Sequence, residues 1–184
     1  MKSPLILVPL VLMSISTMIL AQSHAQSVAE SGAQSGAKGS FDSLKTLEGA
    51  WEGPLSTDPP IPEMAGKTSK VWLRVTSMGN VLMHEMKQEG RPDDPITMLY
   101  LDEDRLLLTH YCDAGNRPRM VGKASPDGKT VEFEFLDLAG GTQHGHMHHV
   151  VFTTVDADHH TEDWTYMLPG DKSVRAHFDL RRTK

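Results

Sequence analysis

Residues 144–149, HGHMHH, place four histidines in six positions, and the apolar run Val150-Val151-Phe152 follows at once. Imidazoles so spaced can ligate a metal, hold a haem iron or carry protons. On a strand, His146 and His148 share one face, with backbones about 7 Å apart. Two such rings converge on a zinc or copper ion when a third donor arrives from another strand. His110 and Glu162 are the third donors on offer. Haem needs one axial histidine in an apolar pocket, and His110, following Leu106-Leu107-Leu108, is the candidate. Proton transfer needs a histidine and a carboxylate within reach of a substrate, and His148 with Glu162 is that pair. Against all three stands the commonest fate of a buried polar side chain, which is simply to be hydrogen-bonded. No nucleophile elbow, phosphate loop or HExxH helix accompanies the histidines, so the enzyme reading has little behind it.

The elements that must position these residues are strands. From residue 70 onward the apolar period is two: Val71, Leu73 and Val75 alternate with Trp72, Arg74 and Thr76. Tight-turn sequences separate successive runs: Met78-Gly79-Asn80, Asp102-Glu103-Asp104, Ser125-Pro126-Asp127-Gly128 and Asp156-Ala157-Asp158. About nine short strands result, with a short entry helix in front. Ser40 or Asp42 caps that helix, and Phe41, Leu44 and Leu47 form its apolar stripe before Gly49 stops it. Consecutive antiparallel hairpins predict an all-β, up-and-down barrel of about eight to ten strands, because closure removes exposed edges.

The opening LKTLEGAWEG resembles the start of lipocalin-type (calycin) barrels, in which a helical turn leads into Gly-x-Trp on the first strand. Gly49 and Trp51 are the matching residues. The resemblance implies that Trp51 closes one barrel end under a late arginine, with Arg181 or Arg182 in the expected place, Arg181 being preferred. The segments LLLTHYCDAGNRPRM, HMHH and DHHTEDWTY are similar to a group of functionally uncharacterised exported bacterial proteins. The usual mid-chain Thr-Asp-Tyr stretch, disulfides and C-terminal helix of true lipocalins are missing.

The face of each histidine follows from register. If Asp156-Ala157-Asp158 is a three-residue loop, Val155 pairs with His159 and Tyr166 lies opposite His148. One face then carries His146, His148, Val150, Phe152, His160, Glu162, Trp164 and Tyr166. Its aromatics assign it to the interior, and His149, His159 and Asp163 face water; a one-residue slip would invert the two faces. His110 and His84 share faces with leucines and methionine, so they also point inward. The expected pocket set is His84, His110, Phe152, Glu162, Trp164 and Tyr166, and the metal set is His146, His148, His110 and Glu162. Arg117 and Arg119 form a solvated edge or, alternatively, an anion grip. The segment PLSTDPPIPEM is expected to cover one opening.

The ends and composition set the context. Lys2 precedes a long apolar run, and Ser23-His24-Ala25 suits cleavage after Ala25, so residues 1–25 read as an export signal. Residues 26–40, rich in Ser, Gly, Ala and Gln, read as a flexible leader, leaving 41–184 as one domain. Net charge is −6, which gives no reason to seek nucleic acid. A single cysteine, Cys112, excludes an internal disulfide. The expectation is a periplasmic or secreted barrel, not membrane-inserted after cleavage, that binds a small apolar molecule, since a barrel this size holds packed side chains or one ligand. The alternatives are a zinc or copper protein, an enzyme built on that metal, a haem binder, or a packed envelope module.

Overall fold

The computed structural model describes residues 36–91 and 94–184. The proposed export signal and most of the leader lie outside the described residues. A helix, α1, spans residues 36–45. Ten strands follow: β1 Gly49–Asp58, β2 Thr68–Thr76, β3 Val81–Gln88, β4 Ile96–Asp102, β5 Arg105–Tyr111, β6 Arg117–Ala124, β7 Thr130–Ala139, β8 His146–Asp156, β9 His159–Leu168 and β10 Lys172–Arg182. Each strand pairs antiparallel with its neighbours in sequence, and β1 pairs with β10 to close the barrel. The all-β, up-and-down architecture is the expected one, and closure leaves no strand edge unpaired.

Alternation explains the core. On β2, Ser69, Val71 and Leu73 are buried while Lys70, Trp72 and Arg74 are exposed; on β10, Phe178 and Leu180 point in. One end of the barrel is plugged. Phe41 and Leu44 of α1, with Leu47 after it, pack onto Trp51, whose indole Nε1 donates to the Leu47 carbonyl at 2.8 Å. Here α1 departs from expectation at its start. Ser40 and Asp42 lie within the helix and cap nothing: the Ser40 hydroxyl donates back to the Gly36 carbonyl at 2.8 Å, and Asp42 pairs with Lys38 and Lys45. Residues 36–40, placed in the leader by composition, are therefore part of α1.

The arginine over Trp51 is Arg182, not Arg181. Its guanidinium carbon lies 4.1 Å from the ring centroid, and it donates to the carbonyls of Glu48, Thr46 and Ala157. Arg182 is cross-strand partner to Trp51, so pairing register settles which of two adjacent arginines meets the indole. Arg181, one residue away, turns to the opposite face and is exposed.

Two bulges decide the histidine strand. The β8–β9 turn is shorter than expected, with Asp156 opposite His159, and Val155 is the extra residue that restores Thr154 to His160. From there the expected register holds: Phe152 faces Glu162 and Val150 faces Trp164. A second bulge at His148 then slips the pairing, so Tyr166 lies opposite Met147 and not His148.

Candidate functional site

The open end of the barrel holds a cavity of about 300 Å³, at the lower edge of the size range of ligand pockets. Its walls are largely apolar and include Met86, Met147, Val174, Ala176 and Phe178. Ile61 and Met64, from the proline-rich β1–β2 connection, contribute to the rim, as that segment's expected covering role requires. Gln88, Arg91, Asp113 and Tyr166 supply polar groups, and Arg91 is ion-paired to Asp113.

The floor is a row across three strands: His84 of β3 pairs with Thr97 of β4, which pairs with His110 of β5. Trp164 of β9 packs against both imidazoles, its ring centroid 5.4 Å from His84 and 5.5 Å from His110. Beneath the floor Glu162 is fully buried. Its carboxylate receives three ring N–H groups: His84 Nε2 at 3.0 and 3.2 Å, His160 Nε2 at 3.0 Å and Trp164 Nε1 at 2.9 Å. Burial alone would raise this carboxyl's pKa. Electrostatic attraction to His84 and the hydrogen bonds from His160 and His84 outweigh it, and Glu162 is held below the usual carboxylate range. His160 continues the stack to the plugged end, its ring edge-on to Trp51 at 4.2 Å. The two carboxylate-bound imidazoles leave their Nδ1 atoms enclosed and without hydrogen-bond partners among the described residues.

His110 has a different environment. Burial first, and the neighbouring His84 second, push it down to about 3, so the ring is neutral at physiological pH. Its Nδ1 lies 2.8 Å from the Thr97 hydroxyl. That hydroxyl is buried and has no other hydrogen-bond partner among the described residues. If Nδ1 carried the proton, the hydroxyl hydrogen would be orphaned, at about 1–3 kcal/mol. Thr97 therefore donates to Nδ1, and the proton of His110 sits on Nε2. Nε2 has no hydrogen-bond partner among the described residues and retains access to the cavity.

Of the expected pocket residues, His84, His110, Trp164 and Tyr166 line the cavity. Glu162 lies under it, and Phe152 is core, edge-on to Trp164 and His84. The expected metal set is not brought together. The bulge at His148 carries His146 and His148 to Phe135 of β7, where His148 stacks on the ring at a centroid distance of 4.9 Å. The two histidines meet each other at 3.3 Å, and neither lines the cavity. Glu162 is occupied by His84, His160 and Trp164, and His110 by Thr97. The expected acid–base pair, His148 with Glu162, is separated for the same reason. The one group of three metal-ligating residues among the described residues is Glu132, Glu134 and His149 on the outer surface, where exposed acidic groups commonly cluster without a metal. Arg119 pairs with Asp137 of the adjacent strand, and neither it nor Arg117 lines the cavity.

Sequence reasoning missed Thr97 and Asn116. Thr97 sits in an ordinary alternating strand and gains its role only from its cross-strand neighbours. Asn116 is buried and donates to the carbonyls of Gly141 at 3.0 Å and Gly145 at 2.7 Å, tying the β5–β6 turn to the β7–β8 loop.

No family model matches this chain, and no curated protein matches it in sequence. Solved structures share its shape. Rv2717c from M. tuberculosis superposes with a TM-score of 0.55 at 15% identity, over 79% of this chain and 98% of that one. A protein of unknown function from the DUF3598 family of Nostoc punctiforme superposes with a TM-score of 0.51 at 10% identity, over 75% of this chain and 48% of that one. This chain thus spans about half the length of the Nostoc protein. At these identities the likeness shows the barrel fold alone.

Proposed function

We propose that this protein is an exported, lipocalin-like barrel that binds a small, largely apolar molecule in the open-end cavity. The carrying observation is the cavity itself: methionine, valine and phenylalanine walls over a floor of His84, Thr97 and His110, with His84 braced from below by Glu162 and His110 held by Thr97. Fixed polar groups at the end of an apolar cleft are what orient a small ligand. Kinship with lipocalin-type barrels is supported by the Gly49 and Trp51 opening and by Arg182 over the indole. Export rests on residues 1–25, and N-terminal sequencing of the secreted or periplasmic protein should begin at Gln26.

The binding test is solvent extraction and mass spectrometry of protein from its own host, compared with Ala176→Phe. Ala176 lines the cavity and is half-buried, so a phenyl ring there fills the space. The expected result is a small molecule extracted from wild type and lost from the variant. Failure of the wild type both to carry any compound and to bind apolar probes overturns the reading.

Haem is the second reading, and one observation favours it: His110 is a neutral imidazole with Nε2 open to the cavity. An iron would need the Nε2 lone pair and hence the opposite tautomer, with Thr97 accepting. A Soret band on haem addition, lost in His110→Ala, would establish it.

A further inference from the structure

We infer that the ligand of this cavity enters with an uncharged, hydrogen-bond-accepting oxygen of the carbonyl class foremost, and that the Nε2–H of His110 selects it. This rests on the apolar-ligand reading above and narrows it to ketones, aldehydes, esters or amides with an apolar body.

Polar atoms left over at the floor set what the ligand must present. At the floor, Trp164 Nε1 and His84 Nε2 are committed to Glu162, and His84 Nδ1 is enclosed. His110 Nε2 is the remaining floor nitrogen, and the Thr97 hydroxyl makes it a donor. A ligand oxygen that accepts from it satisfies the donor, whereas an alkyl terminus leaves the N–H buried and unpaired. A carboxylate fits poorly, because His110 stays uncharged where it meets the ligand and the anionic Glu162 lies just beneath. The cation on the cavity wall, Arg91, is already paired with Asp113. Above the floor, Met86, Met147 and Phe178 offer an apolar body nothing but van der Waals contact. His110 is thus a specificity-determining residue and Thr97 its positioning residue.

The experiment has two arms on the full chain. Two-bond ¹⁵N–¹H correlation spectra of histidine-labelled, ligand-free protein report the His110 tautomer directly. Binding of 2-nonanone, nonane and nonanoate is then followed by tryptophan fluorescence in wild type, His110→Phe and Thr97→Val. The expected outcome is the Nε2–H tautomer, with 2-nonanone bound at least about fivefold more tightly than either other probe. In His110→Phe that preference should vanish while nonane still binds. Thr97→Val should reduce it and release His110 into a tautomer mixture, a second readout that stands even where the phenylalanine variant does not fold. An Nδ1–H tautomer in wild type overturns the inference whatever binds. Equal affinity for ketone and alkane overturns it while leaving the apolar cavity intact. Binding of none of the three probes removes the ligand reading itself, and the inference with it.

Discussion

Replacing Glu162 with glutamine tests the centre of the barrel. The carboxylate is fully buried and accepts from three ring nitrogens at 2.9–3.2 Å. Glutamine keeps the shape and one oxygen but turns the other position into an NH₂ donor facing ring N–H groups. At least one ring donor then loses a charge-assisted bond, worth about 1.5–3 kcal/mol. Removing one partner from a buried charged cluster brings the total to about 3–5 kcal/mol, a large share of the roughly 5–15 kcal/mol that holds a domain together. With a urea m-value of about 1–3 kcal/mol/M, the unfolding midpoint of Glu162→Gln should fall by about 2 M at unchanged m. The pH dependence gives an internal check. The carboxyl's pKa in the fold lies below its ordinary value of 4.5, so its stabilisation is complete above pH 4.5 and drains away as pH falls toward the folded value. The gap between wild type and variant should therefore narrow below pH 4.5. A midpoint shift under about 0.5 M at neutral pH, or a gap that widens in acid, would refute the account of Glu162 as an ionised hub.

Three further outcomes are expected. His110 is pushed from 6.5 to about 3 in the fold, so the unfolded chain takes the proton first. No penalty arises above pH 6.5, and stability falls by about 1.4 kcal/mol per pH unit between 6.5 and 3; His110→Phe should lack that segment in urea titrations across pH, and parallel curves down to pH 4 would count against it. Arg182→Ala should lose about 2–3 kcal/mol by thermal unfolding, from the cation–π contact and the carbonyl bonds at the plugged end, whereas exposed Arg181→Ala should stay within about 0.5 kcal/mol. Gly53→Ala should cost more than about 3 kcal/mol or prevent folding, because its Cβ would overlap the Asp179 carbonyl oxygen, a backbone atom that cannot step aside; Gly128→Ala, with open space around it, should show only the strain of its positive φ, about 1–2 kcal/mol.

The amino-acid sequence by itself determined an antiparallel all-β architecture, since apolar and polar side chains alternate with tight-turn residues between runs; between a sandwich and a barrel it favoured the closed meander, which is the one formed. It pointed Trp164 and Glu162 inward, because they share the aromatic face of β9; a one-residue slip would have inverted that face, and the closed barrel fixes the register that keeps both buried. What it could not contain were the two bulges in β8. Each inserts one residue, Val155 or His148, with no glycine or turn residue to mark it, and the one at His148 exchanges Met147 for the histidine pair at the cavity wall. Nor could it show that His84, Thr97 and His110 form one row. That row spans three strands, and its chemistry arises from relative register, which only the closed barrel fixes by forcing every strand to satisfy both neighbours at once.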